Sequence, residues 1–357
     1  MKILKYLFIG LLSVVFATAC KKGIDPISYV DPGPDTAAPV VSISYPVEGT
    51  KIRVDEAVTS IVIKFVAADD IEVKSISLML DGTEIQSFTS FKDYRRYSGA
   101  FQYDNVENGD HVLSVVATDL AGKITTQTVN FKKIPAYVPL PGEVFYLPFD
   151  GDNFELVGKK FVTVVGIPSF TTGKVEQAYA GATDAYITYP TTASGFLGSE
   201  FSIAFWYKLN GTPLRGGIFA IARPYTVYND TTRYKGFRFL RENSGLKQNL
   251  GINLGTGKAE VWVNPFLTIA PSDTWMHIAV TASSTKATVY VDGVVVKTAV
   301  LKGSIDWTDC SMLSLASGKP NFAYWDHFSD LSLYDEVHIF NKAITQEEVT
   351  ALFSVKK

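Results

Sequence analysis

The sequence predicts an all-β protein built from two consecutive β-sandwiches, and three observations carry that prediction. From Pro39 onward, short segments alternate apolar and polar residues, the period of a half-buried strand, as in Val41-Ser42-Ile43-Ser44-Tyr45. Turn dipeptides such as Asp81-Gly82 and Asp292-Gly293 separate these segments at hairpin spacing. Helical periodicity is nearly absent until the last dozen residues. The chain has 357 residues, 46% of them hydrophobic and 13% aromatic, which is enough for more than one packed core.

The N-terminus reads as an export signal. Lys2 and Lys5 precede an apolar run, Leu7 to Phe16, too short for a permanent bilayer span. Ala17-Thr18-Ala19 and then Cys20 follow. A cysteine directly after small residues resembles the lipobox of bacterial lipoproteins, although Ala17 stands where that pattern usually has Leu. The resemblance implies that residues 1–19 are a lipoprotein signal peptide and that Cys20 is acylated, anchoring the chain to a membrane. Cys20 and Cys310 are the two cysteines, so acylation leaves no intrachain disulfide. Cys310 reads as a small, half-buried hydrophobe.

Residues 20–38, rich in Pro, Gly and Asp, read as a flexible tether. Residues 39–133 follow. Ser60 to Val66, Ser75 to Leu80, His111 to Thr118 and Thr125 to Phe131 alternate, with turns at Asp81-Gly82, Asn108-Gly109-Asp110 and Ala121-Gly122. About seven strands in roughly 95 residues suit an immunoglobulin-like sandwich. Asp69-Asp70, Asp81 and Asp119 fit turn-forming carboxylates, with a calcium cluster as the alternative. "APVVSISYPVEGT", "VKSISLMLDGTEI" and "GDHVLSVVATDLAGKITTQTVNF" resemble bacterial Ig-like modules, a likeness that speaks to fold.

Residues 134–142 hold three prolines and end in Gly142, as expected of a stiff linker. From 143 to 357 the segments again read as strands. Phe201, Ile203, Phe205 and Tyr207 share one face, with Ser202, Ala204 and Trp206 on the other. Apolar residues on both faces predict a strand covered on both sides, one face against a second sheet and the other lining a concave surface. Thr345-Gln346-Glu347-Glu348, followed by Val349, Leu352 and Phe353, predicts a capping box and a short amphipathic helix. "FYLPFDGD", "AYAGATDAYITYP", "EFSIAFWYKL", "WMHIAVTASSTKATVYVDGVVV" and "LYDEVHIFNKAITQEEVTALF" occur in this order. They resemble the strands of the laminin-G-like, concanavalin A-like jelly-roll sandwich.

Charge and motifs narrow the function. With 33 basic and 36 acidic residues and a formal charge of −3, the chain has no basic block for nucleic acid. Glycosidases of this fold carry a Glu-x-Asp-x-x-Glu strand, and no such word occurs. No Gly-x-Ser-x-Gly elbow appears, and His111, His277, His327 and His338 have no metal-ligand spacing. The chain therefore reads as a binding protein, not an enzyme. Sugar rings stack on flat aromatics and need fixed polar partners. The segment holding Asn321, Tyr324, Trp325, Asp326 and His327 offers both, as do Tyr225 and Tyr228 and, further on, Trp262. Relatives of this fold often hold Ca²⁺ at the sandwich rim, and the resemblance points to Asp150 and Asp335 as its ligands.

The expectation is a membrane-anchored, non-catalytic cell-envelope protein, an outer-membrane lipoprotein facing outward or into the periplasm, that captures oligo- or polysaccharide. The alternatives are a structural or adhesion lipoprotein with a cell-envelope protein partner, and a divergent glycoside hydrolase.

Overall fold

The computed structural model describes residues 33–224, 232–323 and 325–354; Cys20, Tyr225, Tyr228 and Tyr324 lie outside them. The chain divides into two compact units, Met1–Ala136 and Tyr137–Lys357, the division falling inside the proline-rich stretch.

In the N-terminal unit eight strands follow in order: β1 (Val40–Tyr45), β2 (Thr50–Arg53), β3 (Thr59–Ala68), β4 (Val73–Leu80), β5 (Thr83–Phe88), β6 (Arg96–Val106), β7 (Gly109–Asp119) and β8 (Ile124–Ile134). They form a three-stranded sheet, β1-β3-β6, and a five-stranded sheet, β2-β8-β7-β4-β5. Alternation decides which side chains meet. Ile61, Ile63, Phe65 and Ala67 of β3 are buried with Ile76 and Leu78 of β4 and Leu113, Val115 and Ala117 of β7. Both Asp81 and Gly82 have positive φ (51° and 81°), the tight turn that joins β4 to β5. This is the Ig-like sandwich that the alternation predicts.

Among the described residues the C-terminal unit has an eight-stranded and a seven-stranded sheet. Phe201–Lys208 is central to the first, paired with Met276–Ala282 on one side and Leu333–Phe340 on the other. Its Phe201, Ile203, Phe205 and Tyr207 face the inter-sheet core with Phe219, Phe237, Phe239 and Ile252 of the second sheet. The opposite face departs from expectation in part. The C-terminal helix α1 (Gln346–Ser354) covers much of it, closing Ala204, Ala279 and Tyr290 under Val349 and Leu352, and a small cavity remains beside Trp206. Each such buried aliphatic side chain contributes roughly 1.5–3 kcal/mol. The predicted capping box is formed: Thr345 N–H donates to Glu348 Oε2 (2.8 Å) and Glu348 N–H to Thr345 Oγ1 (3.3 Å).

The second half of the proline-rich stretch is built into this domain. Glu143 Oε2 accepts hydrogen bonds from the Tyr137 hydroxyl (2.6 Å) and from Leu140 N–H (2.8 Å). Cys310 is buried, and burial pushes its thiol up to about 12, which makes it an inert core side chain. No helix among the described residues is long and apolar enough to cross a membrane.

Candidate functional site

The segment between strands Met312–Leu315 and Leu333–Phe340 folds over the outer face of the seven-stranded sheet. Phe219, Ile221 and Phe239 point to the core, so Ala220 and Leu240 point away from it, and Phe322 packs on those two with Trp262 alongside. The crossing is close. A Cβ on Gly217 would sit 2.1 Å from Gly318 N, and one on Gly318 would sit 1.8 Å from Phe322 O, so only glycine fits at either position. Asn321 is fully buried and its Nδ2 donates to the Met312 carbonyl (2.8 Å), tying the segment to the strand below.

One buried group holds this segment against a neighbouring loop. Arg241 and Asp330, both fully buried, pair at 2.8 Å. Arg241 also donates to the carbonyls of Pro213 (2.6 Å) and Thr212 (2.8 Å) and to Gln248 Oε1 (2.9 Å). Asp330 accepts from the hydroxyls of Tyr207 (2.7 Å), Tyr334 and Ser332. Burial, reinforced by the Asp330 charge, pushes both tyrosines well above their ordinary range, so they stay neutral donors. Loop 212–215 and segment 326–331 are thereby held as facing walls.

Between them lies a groove of about 610 Å³, lined in part by Asp184, Leu214, Arg215, Asp326 and Phe328. Phe328 and Trp325 are each 37% exposed, and Leu214 is 64% exposed. Arg215 Nη1 donates to the Trp325 carbonyl (3.2 Å), which fixes the position of the indole. The Trp325 ring leans on Trp262 (6.1 Å) and Phe322 (6.0 Å) and lies 5.3 Å from the Arg233 guanidinium. Lys319 bridges Asp184 (3.2 Å) and the face of Phe328 (4.8 Å). The groove thus presents aromatic faces beside fixed charges and hydrogen-bonding groups.

Of the residues the sequence singles out here, Asp326 lines the groove, Trp325 is exposed on the residue before it, and Trp262 packs half-buried against Trp325. Two expectations are corrected. Asn321 and His327 are fully buried, so they shape the segment from inside and offer nothing to a ligand. His327 stacks on Phe322 (4.8 Å), and neither ring nitrogen has a hydrogen-bond partner. Its Nε2 lies 3.5 Å from Glu242, a contact that would favour a charged ring. Burial, with the nearby Arg215 and Arg241 charges, outweighs it and lowers the imidazole to about 3, so the ring is neutral. Sequence reasoning missed Arg241, Asp330, Arg215 and Phe328. The signal for Arg241 was present: in Phe237-Arg238-Phe239-Leu240-Arg241 it shares the parity of the core-facing Phe237 and Phe239, and a charge at such a position needs a buried partner.

A second cavity, of about 190 Å³, lies among Tyr146, Trp206, His277, Glu336 and His338. Glu336 lines it and accepts from the Tyr146 hydroxyl (2.7 Å), and two acids nearby are committed to the fold. Glu143 holds His338 Nδ1 (2.6 Å), Tyr137 and Leu140, and Glu155 caps Tyr146 N–H, Val157 N–H and Gly158 N–H. His277 is lowered to about 3 by burial and by His338, which leaves it neutral. Beside this cavity Asp335, fully buried, accepts from Lys174 N–H (2.8 Å) and Val175 N–H (2.9 Å) through Oδ2, while Oδ1 has no partner. Burial, with the charges of Glu336 and Asp150, raises its carboxyl to about 8. An orphaned buried carboxylate oxygen with a second carboxylate near it is the kind of donor a hard cation would take.

Two packed sheets and a capped closing helix define the class by fold: a jelly-roll β-sandwich in the C-terminal unit, preceded in the chain by an Ig-like module. Family models agree in the same order. The bacterial Ig domain model matches residues 39–115, and the concanavalin A-like lectin/glucanases superfamily model matches residues 181–350. The chain therefore carries a bacterial Ig domain followed by a concanavalin A-like domain.

No curated protein matches the chain. Among solved structures, domain 4 of AbnA, a GH43 extracellular arabinanase from Geobacillus stearothermophilus in complex with arabinotriose, is 18% identical. It matches over 60% of this chain and 100% of its own length, with a TM-score of 0.46. The binding domain of botulinum neurotoxin DC in complex with rat synaptotagmin II is 14% identical, over 59% of this chain and 51% of its own, at a TM-score of 0.42. The binding domain of Paraclostridial mosquitocidal protein 1 is 17% identical, over 59% and 52%, at 0.44. The chain thus spans about half the length of the toxin domains, and no functional argument rests on likenesses this remote.

Proposed function

We propose that the chain is a non-catalytic carbohydrate-binding protein of the cell envelope, held at a membrane through acylated Cys20, with its glycan seated in the groove between loop 212–215 and segment 326–331. The observation that carries this reading is the groove lined by Phe328, Arg215, Asp184 and Asp326, with Trp325 exposed on the adjoining residue of the same segment. A sugar ring lays its C–H face on such a ring and spends its hydroxyls on the flanking charges. The absence of chemistry is part of the reading, because the buried acids Glu143 and Glu155 are spent on backbone and side-chain donors. Ca²⁺ held by Asp150 and Asp335 would fix the loops around them without taking part in a reaction.

The test is a glycan array on the full chain, followed by calorimetry on the glycans retained. Trp325→Ala should weaken binding by about 1–3 kcal/mol, the scale of one aromatic contact, with a stability loss of about 1–2 kcal/mol from its packing on Trp262. Unchanged affinity in that variant and in Phe328→Ala would remove the groove from the reading. Shortening of the bound glycan on incubation would overturn its non-catalytic part. For the anchor, Cys20→Ala should leave the exported chain in the soluble fraction, because an acyl chain is what would hold it.

A further inference from the structure

The N-terminal domain gathers three carboxylates at one end of its sandwich. Oxygens of Asp35, in the segment leading into β1, and of Asp69 and Asp70, at the end of β3, all lie within 4.8 Å of one another. Like charges this close repel, and proximity alone would not mark a site. A separate observation does. Asp69 is only 9% exposed, and its Oδ2 is buried with no hydrogen-bond partner, although Oδ1 accepts from Ile71 N–H (2.9 Å) and Glu72 N–H (2.8 Å). Asp35 repeats the pattern, with a buried Oδ2 that has no partner.

The neighbouring cation does not satisfy these oxygens. Lys123 Nζ is spent on Asp35 Oδ1 (2.8 Å), the Asp35 carbonyl (2.9 Å) and Asp119 Oδ2 (3.4 Å). That ammonium therefore serves Asp35 and Asp119, and Oδ2 of Asp35 and Oδ2 of Asp69 are left bare. Leaving a buried carboxylate oxygen unpaired is costly, and a cation shared between such oxygens is the group that relieves it. The donors are all oxygen, with no imidazole or thiolate among them, which selects a hard cation. Carboxylates from two chain segments, one of them exposed, give the irregular and adjustable donor set that calcium accepts and magnesium does not.

We propose that Asp35, Asp69 and Asp70 form a Ca²⁺ site in the Ig-like domain, independent of the groove and of the Asp150–Asp335 pair. Asp35 stands in the lead-in segment, outside the strands. Binding at this site clamps that segment to the β3–β4 turn, so that calcium sets where the tether leaves the domain.

The experiment is calorimetric titration of the chelator-treated full chain with CaCl₂, paired with melting curves. One equivalent of Ca²⁺ should bind at this site, apart from any taken by the Asp150–Asp335 pair, and Asp69→Asn and Asp70→Asn should each weaken that equivalent at least tenfold, while Asp335→Asn leaves it intact. Asp70 is exposed, so Asp70→Asn keeps the test open should Asp69→Asn fold poorly. Calcium at a hundred times its Kd should raise the N-terminal unfolding midpoint by on the order of 10 °C. The proposal is overturned by any of three results: no saturable binding, the same affinity in the Asp70→Asn variant, or loss of the equivalent in Asp335→Asn with retention in both N-terminal variants.

Discussion

In the N-terminal domain, Asp69 accepts from backbone N–H groups two and three residues on, and Asp119 from one four residues on. In the C-terminal domain, Asp330 reaches Arg241 across 89 positions, Asp335 reaches Lys174 across 161 and Glu143 reaches His338 across 195. The same side chains thus do two jobs. In the smaller sandwich Asp69 and Asp119 close turns that neighbouring residues have already begun. In the larger one the acids tie together loops whose ends the sheets alone leave free. A turn acid replaces water with a local donor at little net gain. A buried acid that gathers distant donors holds a site in place, and its loss leaves charges stranded.

The largest test of that contrast is Asp330→Ala. Removing it strands the Arg241 charge and takes away the acceptor of the Tyr207 and Tyr334 hydroxyls inside the core. Breaking one partner of a buried ion pair costs about 3–5 kcal/mol. In calorimetry of the full chain, the C-terminal transition should fall by that amount while the N-terminal transition stays put, and glycan binding should be lost with the groove walls. A C-terminal transition within about 1 kcal/mol of the parent would mean that Arg241 and Asp330 behave like turn residues, and the comparison would fail.

A second test uses pH. His327 is neutral in the fold, with its pKa lowered to about 3, and recovers an ordinary value near 6.5 on unfolding. The unfolded chain therefore binds the extra proton. The cost is absent above pH 6.5, grows as pH falls, and levels off near 3; at pH 5 it is about 2 kcal/mol. His327→Leu keeps the bulk against Phe322 and removes the proton site. The variant should match the parent within about 1 kcal/mol at pH 7.5 and exceed it at pH 5, since neither ring nitrogen has a partner to lose. A parent-minus-variant difference that does not change with pH would show that the ring is not the acid-sensitive group.

These contrasts also explain what the sequence could show. Alternation and turn dipeptides are local, so the strands around Asp81-Gly82, the central strand Phe201–Lys208 and the capping box at Thr345 were all legible. The groove was legible only as composition. Asn321, Trp325, Asp326 and His327 stand close together in the chain, but which of them faces solvent depends on Gly217 and Gly318 letting the segment drop onto the sheet. That crossing buries His327 and Asn321 and leaves Trp325 and Asp326 outside. The concave face expected beside Phe201–Lys208 is reduced to a small cavity at Trp206 for a similar reason. The sequence shows that both faces are apolar, and whether a helix or a ligand covers the second is a matter of where α1 docks.

The smallest expected effect lies in the N-terminal domain and has the opposite sign in pH. Asp81 Oδ1 accepts from Val112 N–H (2.8 Å), and its Oδ2 meets His111 Nδ1 at 2.8 Å. Burial alone would lower the His111 pKa, but the Asp81 hydrogen bond, the Glu107 carbonyl and the nearby carboxylate charges outweigh it and raise it. A histidine raised in the fold contributes stability that is fully present below its unfolded pKa, near 6.5, and is lost as pH climbs through the folded value. Asp81 is about half exposed, so solvent screens the pair, and the gain should be about 1 kcal/mol or less. Asp81→Ala should therefore lower the N-terminal transition by more at pH 6 than at pH 8, the residual loss at pH 8 being the neutral bond to Val112. His327 costs stability as pH falls below 6.5, whereas the His111 contribution fades as pH climbs above it, so His327→Leu and Asp81→Ala should show their pH dependence in adjoining windows, with opposite signs of effect on the two transitions. A loss in Asp81→Ala that is equal at pH 6 and pH 8 would reduce Asp81 to a turn acceptor and leave the His111 contact without energetic weight.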